Sequence, residues 1–250
     1  MGLAATGCSY PTSTTPYPGA CVPMAVASSS PAADSTTAPT DGAIGIAFTD
    51  YPDPDTVGTP SMLLTTGVFR VPETYRVDLA DKTVTMIPVG SLIAHLGYSA
   101  SVFPDLRSLA GCSATFEIVS FDTGDGPANL PPPPVPTLSD VQPILDGRCA
   151  DNCHADASGG CLAAPMSGLS LCATDARNAL IDVPSREVSS LLLVAPGDSA
   201  RSYLLRKVLP ATVGGGPIPT TLGQREPPGD PLTQDQLATL AAWIDGGALP

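Results

Sequence analysis

Four consecutive prolines, Pro131 to Pro134 in "NLPPPPVPTLSD", divide the chain into parts that obey different rules. Each proline fixes φ near −65° and removes a backbone donor, so neither a helix nor a central strand can run through the segment. Such a run adopts an extended polyproline II spacer. The chain therefore organises as two bodies joined at residues 131–137, and the hydrophobic periodicity changes across that joint.

Before the prolines the period is that of strands. Short runs rich in Val, Ile, Thr and Phe recur between Pro, Gly and Asp clusters. They predict strands at Ala43–Thr49, Ser61–Phe69, Thr74–Leu79, Lys82–Val89, Tyr98–Phe103 and Thr115–Phe121. In "YRVDLADKTVTMIP", Tyr75, Val77 and Leu79 alternate with polar neighbours and Val84 and Met86 alternate on the return, so the segment reads as a hairpin turning at Ala80-Asp81. Six or seven strands in this length predict an all-β antiparallel sandwich over 41–130. No group of residues in it assembles a catalytic constellation. His95 sits beside the Leu96-Gly97 turn and reads as a surface or packing histidine.

After the prolines the period is helical. Ser139 reads as an N-cap, with Val141, Ile144 and Leu145 on one face of the helix that follows. "RNALIDV" is a short helix. "APGDSARSYLLRKVLP" predicts a helix capped by Asp198 or Ser199 and carrying Tyr203, Leu204 and Val208. In the last segment Thr233 is the N-cap and Gln236 its capping-box partner. Leu237, Leu240, Ala241 and Ile244 form the apolar stripe, and Gly246-Gly247 ends it. Residues 138–250 thus predict a mainly α domain of three to five helices with long loops.

Charge and composition exclude some functions. A net charge of −13 and only 11 Lys and Arg residues, scattered without a basic stripe, argue against nucleic acid as a partner. No apolar run reaches the length of a membrane span. Seven cysteines suit an oxidising envelope compartment. At the front, "LAATGC" resembles the end of a bacterial lipoprotein signal. It implies a lipid on Cys8, hence membrane attachment in the periplasm or at the outer membrane. The Ser-, Thr- and Pro-rich stretch that follows, up to residue 40, reads as a tether.

The chemistry concentrates in "GRCADNCHAD". Cys149, Cys153 and His154 place two thiols and an imidazole within six residues. Covalent haem attachment needs two thiols for the two vinyl groups and a histidine beside the second, normally spaced C-x-x-C-H. Here the spacing is C-x-x-x-C-H, so one extra residue must bulge outward. Two other fates are open to these cysteines. They can pair in disulfides, or join Cys161, Cys172 or His154 around zinc.

Two family resemblances bear on these readings. "IGIAFTDYPDPDTV" followed by "YRVDLADKTVTMIPVGSLIAHLGYSASV" resembles the bacterial Ig-like domains of the S-layer-protein type, which implies a spacer or contact module. "VQPILDGRCADNCH", "SGG", "GLSL", "VAPGDSARSYLLRKV" and "LTQDQLATLAAWIDGGA" together resemble the planctomycete-type cytochrome c domains. That likeness implies haem c held by thioethers at Cys149 and Cys153, with His154 as proximal iron ligand. It also implies electron transfer with a redox protein rather than catalysis. The family's distal methionine has no counterpart, because Ile218 stands there in "GGGPIPTTLG". Met166 is the substitute candidate. An open iron face able to bind small ligands and a haem-less, disulfide-held interaction domain are the other outcomes. Arg148 and Arg206 are candidate propionate partners or solvated surface groups. With haem on Cys149 and Cys153 and lipid on Cys8, Cys161 would pair with Cys172, and Cys21 with Cys112.

Overall fold

The computed structural model describes residues 21–129, 131–150, 153–156, 158–210, 225–228 and 230–250. These fall into two compact units, divided at Pro133–Pro134.

The first unit is built from eight strands: β1 (Val26–Ser30), β2 (Ile44–Phe48), β3 (Met62–Thr66), β4 (Phe69–Arg70), β5 (Glu73–Asp78), β6 (Thr83–Pro88), β7 (Gly97–Val102) and β8 (Glu117–Asp122). They form two four-stranded sheets, ordered β1-β2-β6-β5 and β4-β3-β7-β8, with every named pairing antiparallel. The inward faces follow the alternation of the sequence. Ile44, Ile46 and Phe48 of β2 and Val84 and Met86 of β6 meet Met62, Leu64, Ala100, Val119 and Phe121 from the other sheet in one buried core. The Tyr98 and Phe121 rings stack with centroids 5.9 Å apart. The hairpin between β5 and β6 keeps its register through Asp78, whose Oδ1 accepts the N–H groups of Ala80 and Asp81 at 2.9 and 3.3 Å. A short polar side chain closing its own turn in this way removes two orphan donors.

The sandwich begins earlier than the sequence predicts. Strand β1 lies inside the stretch read as tether, and its flanks are also paired: Met24 bridges Ala114, and Ala38 bridges Thr123. A disulfide joins Cys21 to Cys112. The signal was weak because β1 reads "VASSS" and buries no side chain fully. An edge strand gives no apolar alternation to find.

The second unit holds four α-helices among the described residues: α1 (Leu138–Arg148), α2 (Ala176–Leu180), α3 (Tyr203–Val208) and α4 (Gln234–Asp245). It is less helical than the expected mainly α domain, because α2 and α3 are short and long irregular segments connect the four. Helix α1 is capped by Thr137 and not by Ser139; the Asp140 carboxylate reaches back to the Thr137 N–H at 2.8 Å to complete a capping box. Helix α3 starts at Tyr203 with Ser202 as its cap, later than the sequence implies. Asp198 and Ser202 are used in the preceding turn, where the Ser202 hydroxyl donates to the Asp198 carbonyl at 2.8 Å. Helix α4 starts at Thr233 with Gln236 in the box, as the sequence predicts.

Helix α4 packs against α1 and α3. Its Trp243 is fully buried and donates its indole N–H to the Leu249 carbonyl at 2.8 Å. The same carbonyl accepts the Leu138 N–H at 2.9 Å, so the tail after α4 closes onto the start of α1. A Cβ at position 246 would lie 2.0 Å from Val135 Cγ1, so any larger residue there has to displace that side chain.

Candidate functional site

Helix α1 ends at Cys149, whose N–H donates to Leu145. Cys153 and His154 follow four and five residues later in the sequence. Three hydrogen bonds fasten this pair to the segment after Pro165. The Met166 N–H donates to the Cys153 carbonyl at 2.6 Å, the Leu171 N–H donates to the His154 carbonyl at 2.9 Å, and His154 Nδ1 lies 3.0 Å from the Leu169 carbonyl. Gln142 of α1 donates to the Leu171 carbonyl at 2.9 Å, tying the helix into the same arrangement. A disulfide between Cys161 and Cys172 closes the loop that contains the Met166–Leu169 turn.

The contact at His154 decides its tautomer. A carbonyl oxygen only accepts, so Nδ1 carries a proton, and in the neutral imidazole Nε2 then holds the lone pair. That is the form in which a histidine ligates a metal while a backbone carbonyl orients it.

Cys149, Cys153, His154 and Met166 all line one cavity of about 280 Å³. The four residues that the sequence singled out are therefore together. The volume lies just below the roughly 300–1,000 Å³ usual for small-molecule sites. Leu169, Leu193, Leu204 and Val208 give the cavity apolar wall, and α3 adds Tyr203 and Lys207. Glu187 joins these two: its Oε2 accepts from Lys207 Nζ at 2.7 Å and from the Tyr203 hydroxyl. Burial raises the Glu226 carboxyl, against the pull of Lys207 and His154.

The two motif thiols differ. Cys149 is a free thiol whose pKa is pushed up to about 12, mainly by burial and secondarily by Glu226. It is neutral at physiological pH. Cys153 is disulfide-bonded. A thioether at Cys153 thus requires that bond to open first.

Other sequence expectations resolve differently. Arg148 donates to the carbonyls of Asp230 and Pro231, and Arg206 is buried with Nε on the Ala200 carbonyl at 2.8 Å. Neither lines the cavity; Arg186 and Lys207 do. The zinc alternative loses two donors, since the one cluster of potential metal ligands among the described residues is Cys161, Cys172 and Asp175, and both its sulfurs are in the disulfide. His95, in the first unit, is exposed, with Nε2 3.2 Å from Asp125. Cys8 and Ile218 lie outside the described residues. Sequence reading missed Arg186, Glu187 and Glu226, which sit in irregular segments where no period marks a face. Lys207 was findable, four residues after Tyr203 on the same helix face.

For a haem c the donor set would fit on two counts, while the second thiol is missing as long as Cys153 stays disulfide-bonded. His154 presents the tautomer that iron needs, and a neutral thiol, Cys149, shares its cavity.

The sequence model of the bacterial Ig-like domain (Big_5) matches residues 21–123. The first unit is a β-sandwich similar to that family. The match begins at Cys21, in agreement with β1 and the early disulfide. Among solved structures, the N-terminal part of the bacterial S-layer protein SbsC is similar at 16% identity with a TM-score of 0.34, covering 41% of this chain and 24% of that one. The L,D-transpeptidase from Mycobacterium smegmatis is similar at 19% identity with a TM-score of 0.31, covering 41% of each chain. The chain thus spans about a quarter of the one and two fifths of the other. At these scores neither likeness carries an argument about activity. No curated protein matches the chain.

Proposed function

We propose that this is a bacterial cell-envelope protein in which the Ig-like sandwich serves as a spacer and the second unit holds a single haem c for electron transfer to a redox protein. The observation that carries the reading is the anchoring of His154 Nδ1 on the Leu169 carbonyl in the cavity that Cys149, Cys153 and Met166 share. A bound haem would supply one-electron exchange. The chain's part is to hold it. Once a thiol reductant of the envelope has opened the Cys153 disulfide, the Cys149 and Cys153 S–H groups would each add across a vinyl group, His154 Nε2 would hold the iron, and the leucine-rich wall would exclude water. Met166, which lines the same cavity, would be the candidate second iron ligand. The envelope assignment is supported by the Ig-like family and by two disulfides. Among the described residues no helix is long and apolar enough to cross a membrane.

The test is export in a host with cytochrome c maturation machinery, followed by a pyridine haemochrome spectrum and mass analysis of the Cys149–His154 peptide. An α-band of a two-thioether haem and a haem adduct on that peptide are expected. A colourless protein refutes the reading.

A second reading rests on the Cys153 disulfide and the neutral Cys149 thiol. In it the second unit is a haem-less contact module stapled by disulfides. A peptide carrying disulfide-bonded Cys153 and an unmodified Cys149 after maturation is its expected signature, and a haem adduct removes it.

A further inference from the structure

The carbonyl that fixes His154 belongs to an unusual turn. Ser167 has φ 55° and Gly168 has φ +67°, two left-handed residues in succession. The turn is closed by the Gly168 N–H on Pro165 at 2.9 Å and the Leu169 N–H on Met166 at 3.0 Å. Through it the Leu169 carbonyl comes to face His154 Nδ1. A left-handed serine is a strained backbone position, and such positions persist only where the surroundings over-determine them.

Arg186, itself exposed, braces this one beside the main-chain bonds. Its Nη1 donates to the Ser167 carbonyl. Its guanidinium also lies against Gly168, so that a Cβ built there would stand 3.0 Å from Nη1 and 3.3 Å from Nη2. One planar cation thus bonds the strained residue and covers the next, from a loop 18 residues downstream of Gly168.

We propose that Arg186 is a positioning residue for His154: by clamping the Ser167-Gly168 turn it holds the Leu169 carbonyl in place and keeps the imidazole in its Nδ1–H form, with Nε2 free to bind iron. The purpose assigned to Nε2 rests on the haem reading. The clamp itself is a property of the haem-free chain and is tested there.

The chain has two histidines, His95 and His154, and His95 is exposed in the other unit, so it serves as an internal control. Imidazole nitrogen NMR on the haem-free protein, near pH 9 where an imidazole is neutral, reads the tautomer of each. His154 is expected to be mainly Nδ1–H. In R186M, which keeps the stem but removes the donors, its tautomer ratio is expected to move roughly fivefold toward Nε2–H, the factor that an ordinary net hydrogen bond supplies. R186K restores one donor and is expected to recover part of the change, while His95 stays constant throughout. An Nε2–H form in the unmodified chain, or an unchanged ratio in R186M, overturns the proposal. Emission from buried Trp243 checks the fold. Should R186M fail to fold, R186K carries the test, and a ratio equal to that of the unmodified chain overturns the clamp. A chain that shows the tautomer shift but never takes up haem supports the clamp and sinks the haem reading alone.

Discussion

Removing the Cys161–Cys172 disulfide should loosen the unit that holds the cavity, and the size of the effect follows from the loop it closes. The two cysteines are 11 residues apart in sequence. Closing a loop of that length restricts the unfolded chain by about 3 kcal/mol. At 1.36 kcal/mol per factor of ten, this is roughly a 150-fold change in the unfolding constant. The double variant C161A/C172A is the right perturbation, because Cys172 is buried and a serine there would add an unpaired hydroxyl. Trp243 is the sole tryptophan and is fully buried in this unit, so its emission reports the unit's unfolding directly. With a urea slope of about 1–3 kcal/mol per molar, the midpoint should fall by about 1–3 M with the slope unchanged. A loss below about 1 kcal/mol at constant slope would refute the loop-closure argument. It would mean that the unfolded loop is already confined without the bond. The Cys21–Cys112 bond spans 91 residues, and on the same reasoning its removal should cost the Ig-like unit more, between about 4 and 5 kcal/mol.

Three further outcomes are expected. In the haem-free protein at pH 8, Cys149 should react with iodoacetamide on the order of 10³ times more slowly than an unfolded thiol, because burial moves its pKa from 9.0 to about 12. By the same shift the unfolded chain releases this proton first, so the contribution of Cys149 to stability is present below pH 9 and declines as pH rises from 9 toward 12; a rate equal to the unfolded one would disprove the burial. Thr233→Ala removes the hydroxyl that accepts the Gln236 N–H at 3.3 Å and should cost about 1 kcal/mol, read by Trp243 in urea. Leu64→Ala, at a fully buried position between the sheets, should cost 2–5 kcal/mol, or about that range, in denaturation followed by far-UV circular dichroism.

The parts of the fold that were legible in the sequence are those where one face is buried. Six expected strands correspond to β2, β3, β5, β6, β7 and β8, each with apolar residues two apart pointing into one core. The expected run Ser61–Phe69 splits at Gly67, whose φ of +55° makes the tight turn into β4. Edge strand β1 escaped notice because serines outnumber its apolar residues. In the second unit the caps of α4 were readable, since Thr233 and Gln236 act within one turn. The caps of α1 and α3 were not, because several polar residues compete at each start and tertiary bonds choose among them. The site divides the same way. Cys149, Cys153 and His154 are neighbours in sequence and declared themselves. The Leu169 carbonyl and the Arg186 side chain come from 15 and 32 residues beyond His154 (the former through a strained turn), and a main-chain acceptor has no signature in side-chain spacing.

The shared carbonyl of Leu249 has a consequence for how the second unit is strung together. Because it accepts from Leu138 at the start of α1 and from Trp243 near the end of α4, these two elements meet at one point. A body whose ends meet is topologically a ring with one cut, and the position of the cut is incidental to its packing. Joining the two ends with a short glycine-rich bridge and opening the chain instead between Ser189 and Ser190, both exposed, should therefore give a permuted unit that still buries Trp243 and still seats His154 against Leu169.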